Sequence, residues 1–103
     1  MATKTLATKK VRIAGTDKGV EVVATRNKVG DYVYYRILYY PATVRTDTLS
    51  NGVEYDVYTF KPFTKPVKIW GEQTEKATPK LNGLYEGLVE FVAVEFANGI
   101  RTL

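Results

Sequence analysis

Neither cysteine nor histidine occurs in this chain of 103 residues. Without cysteine there is no disulfide framework, no thiol nucleophile and no thiolate metal site. Without histidine, the commonest general base near neutral pH and the commonest transition-metal ligand are missing. Any catalytic reading would rest on Asp, Glu, Lys or Tyr alone. The expectation is a non-enzymatic protein that holds no metal and no cofactor. No apolar run approaches the roughly 20 residues that span a bilayer, so no membrane partner is expected. Residues 1–10 are polar and lack the apolar stretch of a secretory leader, and no Asn-x-Ser/Thr sequon follows. A cytoplasmic protein is expected.

Familiar phosphate and calcium motifs are missing too. Gly15-Thr-Asp-Lys-Gly19 is too short for a phosphate loop and lacks its Gly-Lys-Ser/Thr ending. Asp47, Asn51, Glu54 and Asp56 do not match the ligand spacing of a calcium-binding helix-loop-helix. Glu86 and Glu90 would share a face only on a helix, and Glu90 and Glu95 face opposite ways on a strand.

What the chain does have is tyrosine. Tyr32, Tyr34, Tyr35, Tyr39 and Tyr40 surround Arg36 in the run from Gly30 to Pro41. Aromatic and β-branched residues at this density favour a pleated, half-buried backbone, and the bracketing glycine and proline punctuate its ends. Alternation puts Val33, Tyr35, Ile37 and Tyr39 on one face, which reads as core. Tyr32, Tyr34, Arg36, Leu38 and Tyr40 share the other. Such a face, if exposed, is a platform for nucleobases or a protein hot spot. If covered, it is the second side of a central strand.

Turn signals divide the rest into short strands: Lys9–Ala14, Val20–Arg26, Tyr32–Tyr40, Thr43–Leu49, Val53–Phe60 and Val67–Trp70. Between Thr43–Leu49 and Val53–Phe60, a three-residue loop ending on a left-handed Gly52 puts Asp47 opposite Tyr55. A two-residue loop would oppose Asp47 and Asp56, and like charges directly opposed are unfavourable. Leu84–Ala97 fits a helix or a strand. Val89, Val92 and Val94 tip it toward strand, and a helix, if formed, should end before Val92. Asn98-Gly99 then reads as a hairpin into Ile100–Leu103. The fold expected is all-β: a compact antiparallel sandwich or small open barrel of seven to eight short strands. It forms a single domain over 1–103, with a flexible basic arm at 1–8 and a mobile loop at 71–83.

Charge is uneven. Residues 1–46 carry nine basic and three acidic side chains, and residues 47–103 carry six and eight, within a net +4. The Lys61–Trp70 segment interleaves Lys61, Lys65 and Lys68 with Phe63 and Trp70, and has no acid between Thr59 and Gly71. That pattern suits a groove tracking phosphates and stacking bases. It equally suits an edge strand protected by lysine and proline. The leading expectation is a binding protein for single-stranded nucleic acid. Its surface would comprise Tyr32, Tyr34, Arg36, Tyr40, Lys61, Phe63, Lys65, Lys68 and Trp70. The alternative is a protein-interaction or assembly module using the same surface, of the size and class of viral structural or inhibitory proteins. Self-association would use a sheet edge or the aromatic face.

Overall fold

The computed structural model describes residues 3–103. Among these residues five strands and one helix form. They are β1 (Thr3–Arg12), β2 (Lys18–Val29), β3 (Tyr32–Thr48), β4 (Glu54–Thr59), β5 (Val67–Thr74) and α1 (Pro79–Ala97). All pairings are antiparallel, in the order β1-β2-β3-β4, with β5 also on β3. The sheet curls into a half-barrel around α1. The expectation of seven to eight strands is therefore corrected to a mostly-β fold with five strands and a helix.

Two causes reduce the strand count. First, the tyrosine run and Thr43–Leu49 form one strand, β3, that passes straight through Pro41. Val44 donates its N–H to Asp17 on the β2 side. Alternation along β3 therefore puts position 41's donor on the opposite side, where proline has none to give. That is where pairing stops. β4 covers β3 from Thr43 to Thr48, β5 covers it from Val33 to Tyr39, and the loop between them skips Pro41. β4 and β5 are thus two halves of one long partner for β3, interrupted at a proline.

Second, Leu84–Ala97 is helical throughout, not only before Val92. Thr78 caps the helix, its Oγ1 accepting the Leu81 N–H at 3.1 Å, and Pro79 occupies the first turn. Tyr85, Val89, Val92, Ala93 and Phe96 recur at helical spacing and are all buried. Burial of that stripe outweighs the small helix penalty of its valines. Asn98-Gly99 ends the helix instead of opening a hairpin. Gly99 has φ +74, its N–H reaches the Phe96 carbonyl, and the Ile100 N–H reaches Glu95. This is a Schellman stop, which needs the left-handed glycine.

Within the expected loop at 71–83, residues up to Thr74 lie in β5 and those from Pro79 lie in α1, so the connection between them is 75–78. Of the expected arm at 1–8, residues from Thr3 on belong to β1, and Met1 and Ala2 lie outside the described residues. The hairpin register is as the charge argument required. Asp47 faces Tyr55, and Gly52 sits at φ +86.

The core lies between sheet and helix. It joins Val20, Val22 and Ala24 of β2 to Val33, Tyr35, Ile37 and Tyr39 of β3 and to the buried stripe of α1. Each fully buried side chain of this size is worth about 1.5–3 kcal/mol relative to exposure. Tyr35 stacks on Tyr85 with centroids 4.7 Å apart, and Tyr39 meets Phe96 edge-on at 4.9 Å.

A smaller cluster closes one end of the outer face. A Cβ on Gly19 would lie 2.6 Å from the Val11 carbonyl and from Val44 Cγ2, and 2.9 Å from the Tyr58 ring. The missing side chain lets β4's Tyr58 lie over β2 toward β1. There Lys10 Nζ stands 6.0 and 5.8 Å from the Tyr58 and Phe60 rings. Arg12 joins the strands by donating to Thr46 and Asp56 and to the Val44 carbonyl.

Candidate functional site

The register of β2, β3 and β5 fixes which expected site residues meet. Opposite α1, β3 presents Tyr32, Tyr34, Arg36, Leu38 and Tyr40. β2 flanks them with Val29, Asn27, Thr25, Val23 and Glu21 in the same order. β5 presents Gln73 beside Tyr34, Gly71 beside Arg36 and Lys68 beside Leu38. A Cβ at Gly71 would sit 3.3 Å from the Tyr34 ring, 3.4 Å from Arg36 and 3.5 Å from Lys68. Those three side chains therefore converge on one glycine.

Leu38 is buried on this face, Tyr34, Arg36 and Tyr40 are half-buried, and Tyr32 is exposed. Val29, Tyr32, Tyr34 and Gln73 line a recess of about 330 Å³ at one end. Its walls are two phenol rings, one apolar side chain and one amide.

Around Arg36 this face carries positive charge only. Arg36 and Lys68 belong to none of the four ion pairs among the described residues. Glu21, opposite Tyr40, is the acid nearest in register; the rows at 23–27 and 68–73 that flank Arg36 on this side hold none. Arg36 Nε and Thr25 Oγ1, on directly paired residues, are buried without a hydrogen-bond partner among the described residues. A guanidinium held against the sheet with no carboxylate attracts an anion.

The remaining expected residues lie elsewhere. Lys61, Phe63 and Lys65 belong to the loop between β4 and β5, and Lys61 borders a cleft with Pro41, Ala42 and Thr43 at the sheet margin. Phe63 is wholly exposed at φ +62, a strained conformation for an aromatic residue. Trp70 faces the helix side. A bulge at Ile69 shifts the pairing so that Lys68 opposes Leu38 while Trp70 opposes Ile37. One extra residue has reversed the side on which Trp70 projects.

Trp70 there joins a site outside the surface expected from the sequence. An apolar groove of about 490 Å³ runs between α1 and β5, walled by Ile69, Trp70, Leu84, Leu88 and Phe91. At its floor Trp70 Nε1 donates to the Tyr85 hydroxyl at 3.1 Å, and Tyr85 donates to Glu72 at 2.6 Å. Burial, and then the bond to the Glu72 carboxylate, hold the Tyr85 phenol far above its usual pKa. Tyr85 is thus a fixed neutral donor and not a proton carrier at physiological pH. The bulge at Ile69 and the second apolar row of α1 were the only signals, and a bulge has no reliable sequence mark.

Among the described residues no group of three or more acidic, His or Cys side chains is placed to hold a metal ion. Among the same residues no helix is long and apolar enough to cross a membrane. No protein-family model, curated protein or solved structure matches this chain.

Proposed function

We propose that the protein binds single-stranded nucleic acid on the sheet face turned away from α1, as a non-enzymatic, cytoplasmic binding protein. The observation that carries this reading is Arg36. It is a guanidinium without a carboxylate partner, set between Tyr34 and Lys68 on a face whose neighbouring rows hold no acid. Phosphates would pair with Arg36 and Lys68, and Lys10 would extend the track on the same side. A base would stack on Tyr34 in the recess beside Tyr32, with the Gln73 amide against its edge. Lys61, Phe63 and Lys65 would reach the strand only from the loop at the margin. Trp70, on the helix side, takes no part in the binding.

A labelled oligothymidylate titrated at several salt concentrations tests this. Affinity should fall with salt at a slope of roughly −0.7 per phosphate contacted. Arg36→Met and Lys68→Ala should each make the slope shallower by about that amount. Tyr34→Ala should cost about 1–3 kcal/mol, the range for one lost stacking platform. Trp70→Ala should leave affinity unchanged. No binding at low salt ends this reading, and loss of binding on Trp70→Ala moves the site to the helix side.

A second reading, a protein-interaction or assembly module, gains support from a different surface than the aromatic strand. Leu84, Phe91 and Val94 stand 54%, 61% and 52% exposed on α1. Large side chains exposed together on one helix suit a protein contact.

A further inference from the structure

The helix α1 has two apolar faces, and its own sheet covers one. On the other, Leu84, Gly87, Leu88, Phe91 and Val94 form a band on the solvent side and over the groove. Added Cβ atoms at Gly83 and Gly87 would meet nothing within 4 Å, so no packing among the described residues accounts for two helix-interior glycines. Each weakens the helix relative to alanine.

The band is complementary to itself. Laid antiparallel on a copy about a point between Gly87 and Leu88, it sets Leu84 against the copy's Phe91. It also brings Leu88 against the copy's Leu88, beside the bare surfaces of the two Gly87 residues. Lys80, which belongs to none of the ion pairs among the described residues, then meets the copy's Glu95. Glu95 already pairs with Arg101 of its own chain at 3.0 Å, so Lys80 joins an existing ion pair there. The relation is reciprocal, as a two-fold interface requires. Leu84, Leu88 and Phe91 follow the four-then-three spacing of packed helix pairs.

We infer that α1 is the dimer interface of this protein, and that its occupant is the α1 of a second copy, antiparallel, with Leu84 on Phe91 and Lys80 on Glu95 at both ends. The inference stands apart from the nucleic-acid reading, since it leaves the opposite face of each sheet open.

Sedimentation velocity of the full chain over a concentration series should show a monomer–dimer equilibrium. Phe91→Glu should weaken it at least about thirtyfold, as expected for a central aromatic contact. Lys80→Glu, which sets two acids together at each end, should weaken it less. Circular dichroism checks that each variant is folded. The chain has no cysteine, so a single Leu88→Cys can be read cleanly. With a short bis-maleimide it should crosslink to its copy, whereas Glu86→Cys, on another side of the helix, should not. A strictly monomeric wild type at the highest soluble concentration overturns the inference. So does a dimer that survives Phe91→Glu, or equal crosslinking at both positions.

Discussion

On the helix side of β3, Tyr35 stacks on Tyr85 and donates its hydroxyl to Asn82 at 2.7 Å. One residue earlier, Tyr34 lies against the space left by Gly71 and borders an open recess. Residue type and strand are shared, so neither intrinsic propensity nor hydrophobicity separates the two rings. Their neighbours do. Tyr35 meets a helix stripe that excludes water and supplies a partner for its hydroxyl. Tyr34 is flanked by Asn27 and Gln73 in register and by Arg36 two residues on, polar groups that leave ring surface free. A tyrosine supplies core on one face of this strand and a ligand platform on the other.

The largest test of that contrast is Tyr35→Ala. It should cost about 3–5 kcal/mol, the range for truncating a buried aromatic side chain. It also deprives Asn82 of a donor, leaving Arg26 as the amide's remaining side-chain donor. Urea denaturation with an unchanged slope is the measurement, and a loss under 1 kcal/mol would mean the inner face is not the main core.

Next in size is Gly19→Ala, which probes the one end of the outer face that is closed. The added methyl would stand too near the Val11 carbonyl, a backbone atom that cannot swing aside. The expected loss is about 1–3 kcal/mol, with the Arg12 and Tyr58 contacts loosened. Unchanged stability would show that β4 does not press on β2 in solution.

Much of this contrast is legible in the sequence. The period of two along the tyrosine run picks out Val33, Tyr35, Ile37 and Tyr39, and all four are buried. Repulsion between Asp47 and Asp56 suffices to set the hairpin register. The helix is harder to read. Its valines favour a strand locally, and Asn-Gly serves a hairpin and a helix stop equally well. The decision came from Thr78-Pro79 at the start and from a buried stripe that only the curled sheet can cover. The side on which Trp70 projects was not legible at all, because one bulged residue at Ile69 inverts the parity of everything beyond it. The groove inherits that illegibility, since one of its walls depends on the bulge.

Tyr85→Phe is a perturbation of similar size, expected to cost about 1.5–3 kcal/mol through loss of a hydrogen bond to a charged acceptor. It also has a pH signature. Burial and Glu72 raise the folded pKa of Tyr85 above its unfolded value of about 10. Its contribution is therefore complete below pH 10 and is lost as pH rises through the folded value. The variant should lose less melting temperature than the wild type across that alkaline range. Tyr58 is also raised, by burial and then by Asp56, so some slope should remain. Parallel profiles would show that the Tyr85–Glu72 bond does not persist in solution.

The smallest expected effect decides most about the outer face. Tyr34→Ala removes a half-exposed ring that makes none of the hydrogen bonds or stacked pairs on which the fold rests. Surface changes away from such features stay within about 0.5 kcal/mol of neutral. If the ring belongs to a ligand platform, its worth appears only when ligand is present. Stability without ligand should then be unchanged while oligothymidylate affinity falls. Were Tyr34 instead part of a second core, with the outer face covered as tightly as the inner, the same substitution would cost stability like Tyr35→Ala. Measuring unfolding and binding on one preparation separates the two. A loss above about 2 kcal/mol without ligand is beyond the range for a surface residue. It would make the two faces of β3 alike and leave the nucleic-acid reading without its platform.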